Sequence, residues 1–170
     1  AATEGALVNA IASEPELGSP RGGGRPATTL TPDGDGWRLD GRKNFSTLSP
    51  ALTYAVVLAA LEDGSGGTGR VVVRCDLPGV RIEETWNSMA MRSTGSHDMV
   101  FEGVRLTEGD FASKREGNEP TTPSREAWFP LLLSAANLGV AYAARDYAVH
   151  FAQNRQPTGA PAPIAKIPHV

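Results

Sequence analysis

At 170 residues, 40% of them apolar and 21% charged, the chain has the balance of one folded domain, or of one and a piece of another, and not of a disordered segment. Its formal net charge of −3 argues against nucleic acid or an anionic membrane as partner, and no apolar run reaches the roughly 18 residues that a spanning helix needs. The lone Cys75 excludes an intrachain disulfide and the three histidines lack ligand spacing, so a cytoplasmic protein without a metal site is expected.

The chain opens without a methionine, and residues 1–7 carry Glu4 and no basic start before an apolar core. A partial sequence is therefore expected, and a signal peptide is not. Residues 6–13 (ALVNAIAS) read as a strand that Glu14-Pro15 stops. A glycine-rich loop covers 18–25, and 27–31 is strand-like, with a turn at 32–36. Residues 37–39 alternate, Asp40-Gly41 predicts a two-residue hairpin turn, and 42–45 return. The continuous apolar run 54–61 (YAVVLAAL) suits a strand buried on both faces, although periodicity alone leaves a helix open. Residues 62–69 form an exposed loop, 70–74 a strand, and Pro78-Gly79 turns the chain into 80–83. Short closing strands are expected at 99–101 and 104–106. At least six short strands at this spacing predict a sandwich or barrel and not a βαβ sheet.

The polar run 112–123 reads as linker or surface loop, and a helical pattern follows from Ser124 to about Asn154. Thr122 or Ser124 could cap it, with Pro123 in the first turn, while Pro130 should kink or delay it. Its apolar residues cover most of the circumference, so neighbours must bury it. The stretch 157–168 is too proline-rich for a helix. The resulting division is a β-domain at 1–115, a linker at 116–123 and the start of a helical domain at 124–170.

Three segments, in order, resemble acyl-CoA dehydrogenase patterns. Ser13-Glu14-Pro15-Glu16-Leu17-Gly18-Ser19 is similar to Ser/Thr-E-P-x-x-G-S. Residues 39–47 (LDGRKNFST) are similar to L-N-G-x-K-x-W-I-Thr/Ser. Met91-Arg92-Ser93-Thr94, followed by Val100-Phe101-Glu102-Gly103-Val104, is similar to M-R-x-Ser/Thr…x-F-x-x-V. The resemblance implies a mainly β fold with α: the family's middle β-sandwich or barrel, then the first long helix of a C-terminal bundle, together a fragment of a longer protein.

It also implies a function, α,β-dehydrogenation of an acyl-CoA thioester with hydride transfer to FAD, in a homotetramer served by an electron-transfer partner. Carried over residue by residue, Ser13 would bond the flavin ring and Ser19 would approach its pyrophosphate, with main-chain contacts to the ring at Ala10 and Ala12. Phe45 would pack near the ring and Thr47 would bond its polar edge, both on one strand face. Arg155 would reach FAD phosphates of a neighbouring subunit. Ser19 and His97 would lie on the substrate side. The catalytic base, a glutamate of a later helix in the family, is expected beyond Val170, so the chain alone should be inactive.

Several positions depart from the pattern: Phe45 for tryptophan, Phe129-Pro130 for an early helical arginine, Thr158 for an aromatic, and a polar 95–98 loop. These resemble the branch with reduced-flavin monooxygenases, in which FMN could stand in for FAD, and an aromatic substrate and a flavin reductase would replace acyl-CoA and the electron-transfer partner. A non-catalytic flavin-binding or assembly module is a third reading. Simpler roles also stand beside these: a turn for Ser19 and its glycines, core packing for Phe45, a water-facing hydroxyl for Thr47, and helix-dipole complementation for Arg155. Ser96-His97-Asp98 is not expected to be a triad, because neighbours in a turn point in different directions.

Overall fold

The computed structural model describes residues 5–17, 24–117 and 123–168. The chain divides into two compact units, Ala1–Glu119 and Pro120–Val170.

The described residues of the first unit form a sheet of eight strands: β1 (Val8–Ile11), β2 (Thr29–Asp33), β3 (Gly36–Lys43), β4 (Tyr54–Leu61), β5 (Thr68–Arg74), β6 (Val80–Glu83), β7 (Asp98–Leu106) and β8 (Phe111–Arg115). The order is β6-β7-β3-β2-β4-β5-β8. One edge of β4 is shared. β1 pairs parallel with its first half (Val8 opposite Tyr54, Ile11 opposite Val57), and β2 pairs parallel with its end (Thr29 opposite Ala60). The apolar run of β4 is a strand because it is buried: Ala55, Val57, Ala59 and Ala60 have no exposed surface. Val71 and Val73 of β5, Leu30, Leu39 and Phe101 complete the core around it. Each such aliphatic or aromatic side chain contributes roughly 1.5–3 kcal/mol on leaving water.

Three strand expectations are corrected. Asp40-Gly41 makes no hairpin turn; β3 runs straight through it, and the register against β7 shifts between Leu39 and Gly41. Gly41 has φ 144°, and a Cβ there would lie 2.6 Å from Thr28 Cα, so the glycine serves a bulge and a close backbone approach. The hairpin turn lies one step earlier, at Gly34 and Asp35 between β2 and β3, where Gly34 has φ 66°. The two closing strands are one, β7, with Gly103 (φ 65°) inside it. Part of the presumed linker is β8, which pairs antiparallel with β5 at the sheet edge.

The second unit is the helix α1 (Pro123–Asn154) and the chain that follows it. It begins before Pro130 and runs through it, so the proline does not delay the helix. With 32 residues it is about 48 Å long. Its apolar side chains are open in this unit: Trp128, Leu131, Leu132, Val140 and Tyr147 are all more than 60% exposed. After it the chain folds back, Ile164 N–H donating to Arg155 O at 3.0 Å, and ends in a short 3-10 turn, Ile164–Lys166.

Candidate functional site

Within the sheet unit, three segments meet beyond the end of β3. The stretch after β1 is held by a buried ion pair. Lys43, the last residue of β3 and fully buried, donates to Glu14 Oε1 at 2.6 Å and to Ala12 O at 3.2 Å. Glu14 also accepts from the backbone N–H groups of Ala27 (2.7 Å) and Thr28 (2.9 Å). Burial opposes charge on Glu14, but the hydrogen bonds from Lys43, Thr28 and Ala27 outweigh it and hold the carboxyl at about 2. Burial lowers the Lys43 pKa, and Glu14 offsets this only in part. The next residue, Asn44, donates its N–H to Ser13 O at 3.0 Å, which completes the clamp.

Beyond Lys43 the strand stops because Phe45 takes a left-handed backbone, φ 53°. Among the described residues three non-glycine positions do so, Phe45, Leu48 (φ 61°) and Met91 (φ 55°), and they lie in two loops that touch. Leu48 N–H donates to Thr94 O at 2.8 Å, and Ser46 N–H to His97 O at 3.2 Å. Each such backbone costs on the order of 1 kcal/mol or more, and strain gathered in one place marks a candidate site. The Phe45 ring is 60% exposed and stands edge-to-face with Trp86, centroids 6.2 Å apart. Beside it run three hydroxyls: Thr47 Oγ1 lies 3.0 Å from Ser96 Oγ, which lies 2.8 Å from Thr94 Oγ1. Among the described residues two buried side-chain oxygens lack a partner, Asn44 Oδ1 and Ser46 Oγ, and both belong to this loop.

Of the expected site residues, Phe45 and Thr47 come together here, but not as alternate positions of one strand, since the left-handed Phe45 ends β3. Ala12 and Ser13 are close by, their carbonyls taken up by Lys43 and Asn44, and Ala10 is exposed on β1, whose strand partner among the described residues is β4. Asn9 Nδ2 ties β1 to the loop by donating to Thr47 O at 3.1 Å. Ser19 lies outside the described residues. Arg155 is exposed in the other unit.

His97 is half-buried, and its Nδ1 accepts the Trp86 N–H at 3.1 Å, which leaves Nε2 as the protonated nitrogen of the neutral ring. Asp98 accepts from Arg42 Nε (2.8 Å) and Thr85 Oγ1 (2.9 Å), and Ser96 turns to the hydroxyls. These three neighbours thus look in three directions and form no relay. Trp86, Ser96 and the Glu14–Lys43 pair were missed as site residues. Glu14 and Lys43 each stand inside a matched motif, but nothing in the sequence says that they pair across 29 positions.

Residues 9–104, from within β1 to within β7, match the acyl-CoA dehydrogenase middle domain, and this stretch contains every contact just described around Phe45 and Thr47. The chain belongs to the acyl-CoA dehydrogenase family. It is 44% identical over 166 residues to the putative acyl-CoA dehydrogenase YdbM of Bacillus subtilis, covering 98% of this chain and 42% of that protein. It is 33% identical to the amino sugar nitrososynthase RubN8 of Streptomyces rubradiris, over 79% of this chain and 33% of that one. Among solved structures it is similar to a glutaryl-CoA dehydrogenase from Mycobacterium smegmatis in complex with FADH2. There the TM-score is 0.74 at 26% identity, over 95% of this chain and 40% of that one. The acyl-CoA dehydrogenase middle domain is thus carried by a chain that spans less than half the length of these relatives.

Proposed function

We propose that the chain is the flavin-facing β-domain (1–115), linker (116–123) and start of the helical-bundle domain (124–170) of an FAD-dependent acyl-CoA dehydrogenase, acting in α,β-dehydrogenation of an acyl-CoA thioester. The observation that carries this reading is the meeting of the three left-handed residues, with an exposed Phe45 ring, the exposed end of the Thr47–Ser96 hydroxyl pair and the edge of β1 that is unpaired among the described residues in one place. Those residues fit a flat aromatic group with a polar rim: the ring of Phe45 offers packing area, and the hydroxyl and strand edge offer hydrogen bonds.

When bound, the flavin supplies the acceptor for the hydride. The residues of this chain orient and dry the site. Lys43 and Glu14 fix the course of residues 12–14, so that the main chain at Ala10 and Ala12 and the Ser13 side chain meet the ring edge in a set geometry. Phe45 and Trp86 exclude water from one side. Ser19 and Arg155 are assigned to the phosphates of the cofactor, Arg155 across a subunit interface of a homotetramer, and His97 to the substrate side. The base that removes the α-proton is assigned to no residue of this chain.

The test is anaerobic addition of acyl-CoA esters to the full-length protein while its visible spectrum is followed. Bleaching of a bound flavin by one ester supports the dehydrogenase and begins to name its substrate. A second reading, a reduced-flavin monooxygenase that takes FMN or FAD from a flavin reductase, is favoured by the similarity to RubN8 and by Phe45 in place of tryptophan. It predicts no bleaching, and oxygen-dependent turnover once reduced flavin is supplied.

A further inference from the structure

Backbone pairing between β6 and β7 ends at Glu83, opposite Asp98, but the two chains stay joined a little further through side chains. Thr85 and Asp98 hold each other twice: the Asp98 N–H donates to Thr85 Oγ1 at 3.1 Å, and that hydroxyl donates to Asp98 Oδ1 at 2.9 Å. An N–H only donates and a carboxylate only accepts, so the direction of both bonds is fixed. One step on, the Trp86 N–H donates to His97 Nδ1 at 3.1 Å. The other carboxylate oxygen of Asp98 accepts from Arg42 Nε at 2.8 Å, and Arg42 also pairs with Glu83 at 2.6 Å. Successive side chains of a strand point to opposite faces. Arg42 and Lys43, neighbours on β3, therefore hold different segments, Arg42 the base of the 86–97 loop and Lys43 the stretch 12–14.

The two residues just inside this clasp are ones that reach the neighbouring loop. The Trp86 ring stands against Phe45, and the His97 carbonyl accepts the Ser46 N–H. Resting on the flavin reading above, we infer that Thr85, Asp98 and Arg42 are positioning residues for the cofactor site, a clasp that sets the wall formed by Trp86 and Phe45. None of the three has to touch the cofactor. They act by fixing where the 86–97 loop leaves the sheet, and with it the place of the Trp86 ring beside Phe45. The Asp98 carboxylate is buried with each oxygen taken, whereas the Arg42 side chain is 40% exposed. The Thr85 side of the clasp therefore carries more than the Arg42 side. Losing a hydrogen bond to a buried charged group shifts a local equilibrium about tenfold, and losing a half-exposed ion pair roughly threefold.

The experiment follows amide hydrogen exchange and binding of oxidised FAD in the full-length protein freed of cofactor. Thr85→Val removes both bonds to Asp98 at nearly constant volume. The Trp86 amide should then exchange about tenfold faster. So should the amides of Ser46 and Leu48, which donate to His97 O and Thr94 O from the other loop. Amides of β4 and β5 should keep their wild-type rates, and FAD should bind about tenfold more weakly. Thr85→Ser keeps the hydroxyl and should restore both the rates and the affinity. Arg42→Gln should move the same readouts by roughly threefold, and it decides the matter if Thr85→Val does not fold. Unchanged exchange at Ser46 and Leu48, or an equal rise throughout β4 and β5, overturns the inference. An unchanged affinity beside a loosened loop overturns it too. A wild-type protein that binds no flavin overturns the flavin reading and takes the cofactor role of the clasp with it. The exchange rates separate that failure from a clasp that does not hold the loop.

Discussion

The two units bury their apolar residues in opposite ways. In the sheet unit, Leu30, Leu39, Val57, Val71 and Phe101 are closed off from water by residues of the same unit, and the buried charges of Glu14 and Lys43 answer each other. In the helical unit, α1 carries leucines, valines and aromatics around its whole circumference and leaves most of them open. Local sequence makes a helix as readily as a sheet, but a helix that is apolar all round needs surroundings that a single helix does not provide. The sheet is a finished core, and α1 is one component of a core.

The contrast can be broken at several points, and the largest effects should fall in the sheet. Lys43→Met leaves a charged Glu14 buried without its partner, and should lower the unfolding free energy of the chain by about 3–5 kcal/mol in urea titrations. Adding Glu14→Leu to Lys43→Met should recover most of that loss; no recovery would mean that the pair is not a unit. Next in size is acid. The Glu14 carboxyl, held at about 2 against an ordinary 4.5, binds its proton more weakly in the folded chain than in the unfolded one. Its contribution is complete above about 4.5 and drains away as pH falls through about 2, a loss on the order of 3 kcal/mol. Unfolding titrations at stepped pH should show that slope in the wild type and not in the Glu14→Leu, Lys43→Met double variant.

Gly41→Ala should cost about 1–3 kcal/mol, because it places a Cβ against Thr28 at φ 144°. The smallest effect belongs to the helix. Leu132→Ala, at a position 63% exposed, should change the stability of this chain by no more than about 0.5 kcal/mol. A loss of about 2 kcal/mol or more there would show that α1 is covered in solution, and the comparison between the units would have to be redrawn.

What the sequence made legible follows the same division. β4 and β6 stood out because an unbroken apolar run and a Pro-Gly turn each have few structural meanings. Asp40-Gly41 misled because the same dipeptide serves a hairpin turn and a bulge, and only the partner strand β7 decides between them. β8 was invisible because residues 112–115 (ASKR) are exposed, and an edge strand is held by backbone pairing more than by its side chains. At the site, the motifs located Phe45 and Thr47 but assumed a strand between them. A left-handed phenylalanine is rare enough that no pattern of residue types announces it. Trp86 and Ser96 became visible as site residues only once β7 and the loop before it had been folded against residues 44–48.

The shared edge of β4 also bears on the order of assembly. β2 and β3 close on a two-residue turn and need no distant help, and β4 and β5 are likewise neighbours in the chain. β1 has to wait, because its partner residues begin at Tyr54, and its parallel pairing closes a long loop before any reward is gained. During synthesis β1 therefore emerges before β4 and is seated only after the strand it leans on has left the ribosome. The segment that carries Ala10 and Ala12 can be fitted to the sheet only after β4, and conditions that slow the maturation of β4 should be felt there.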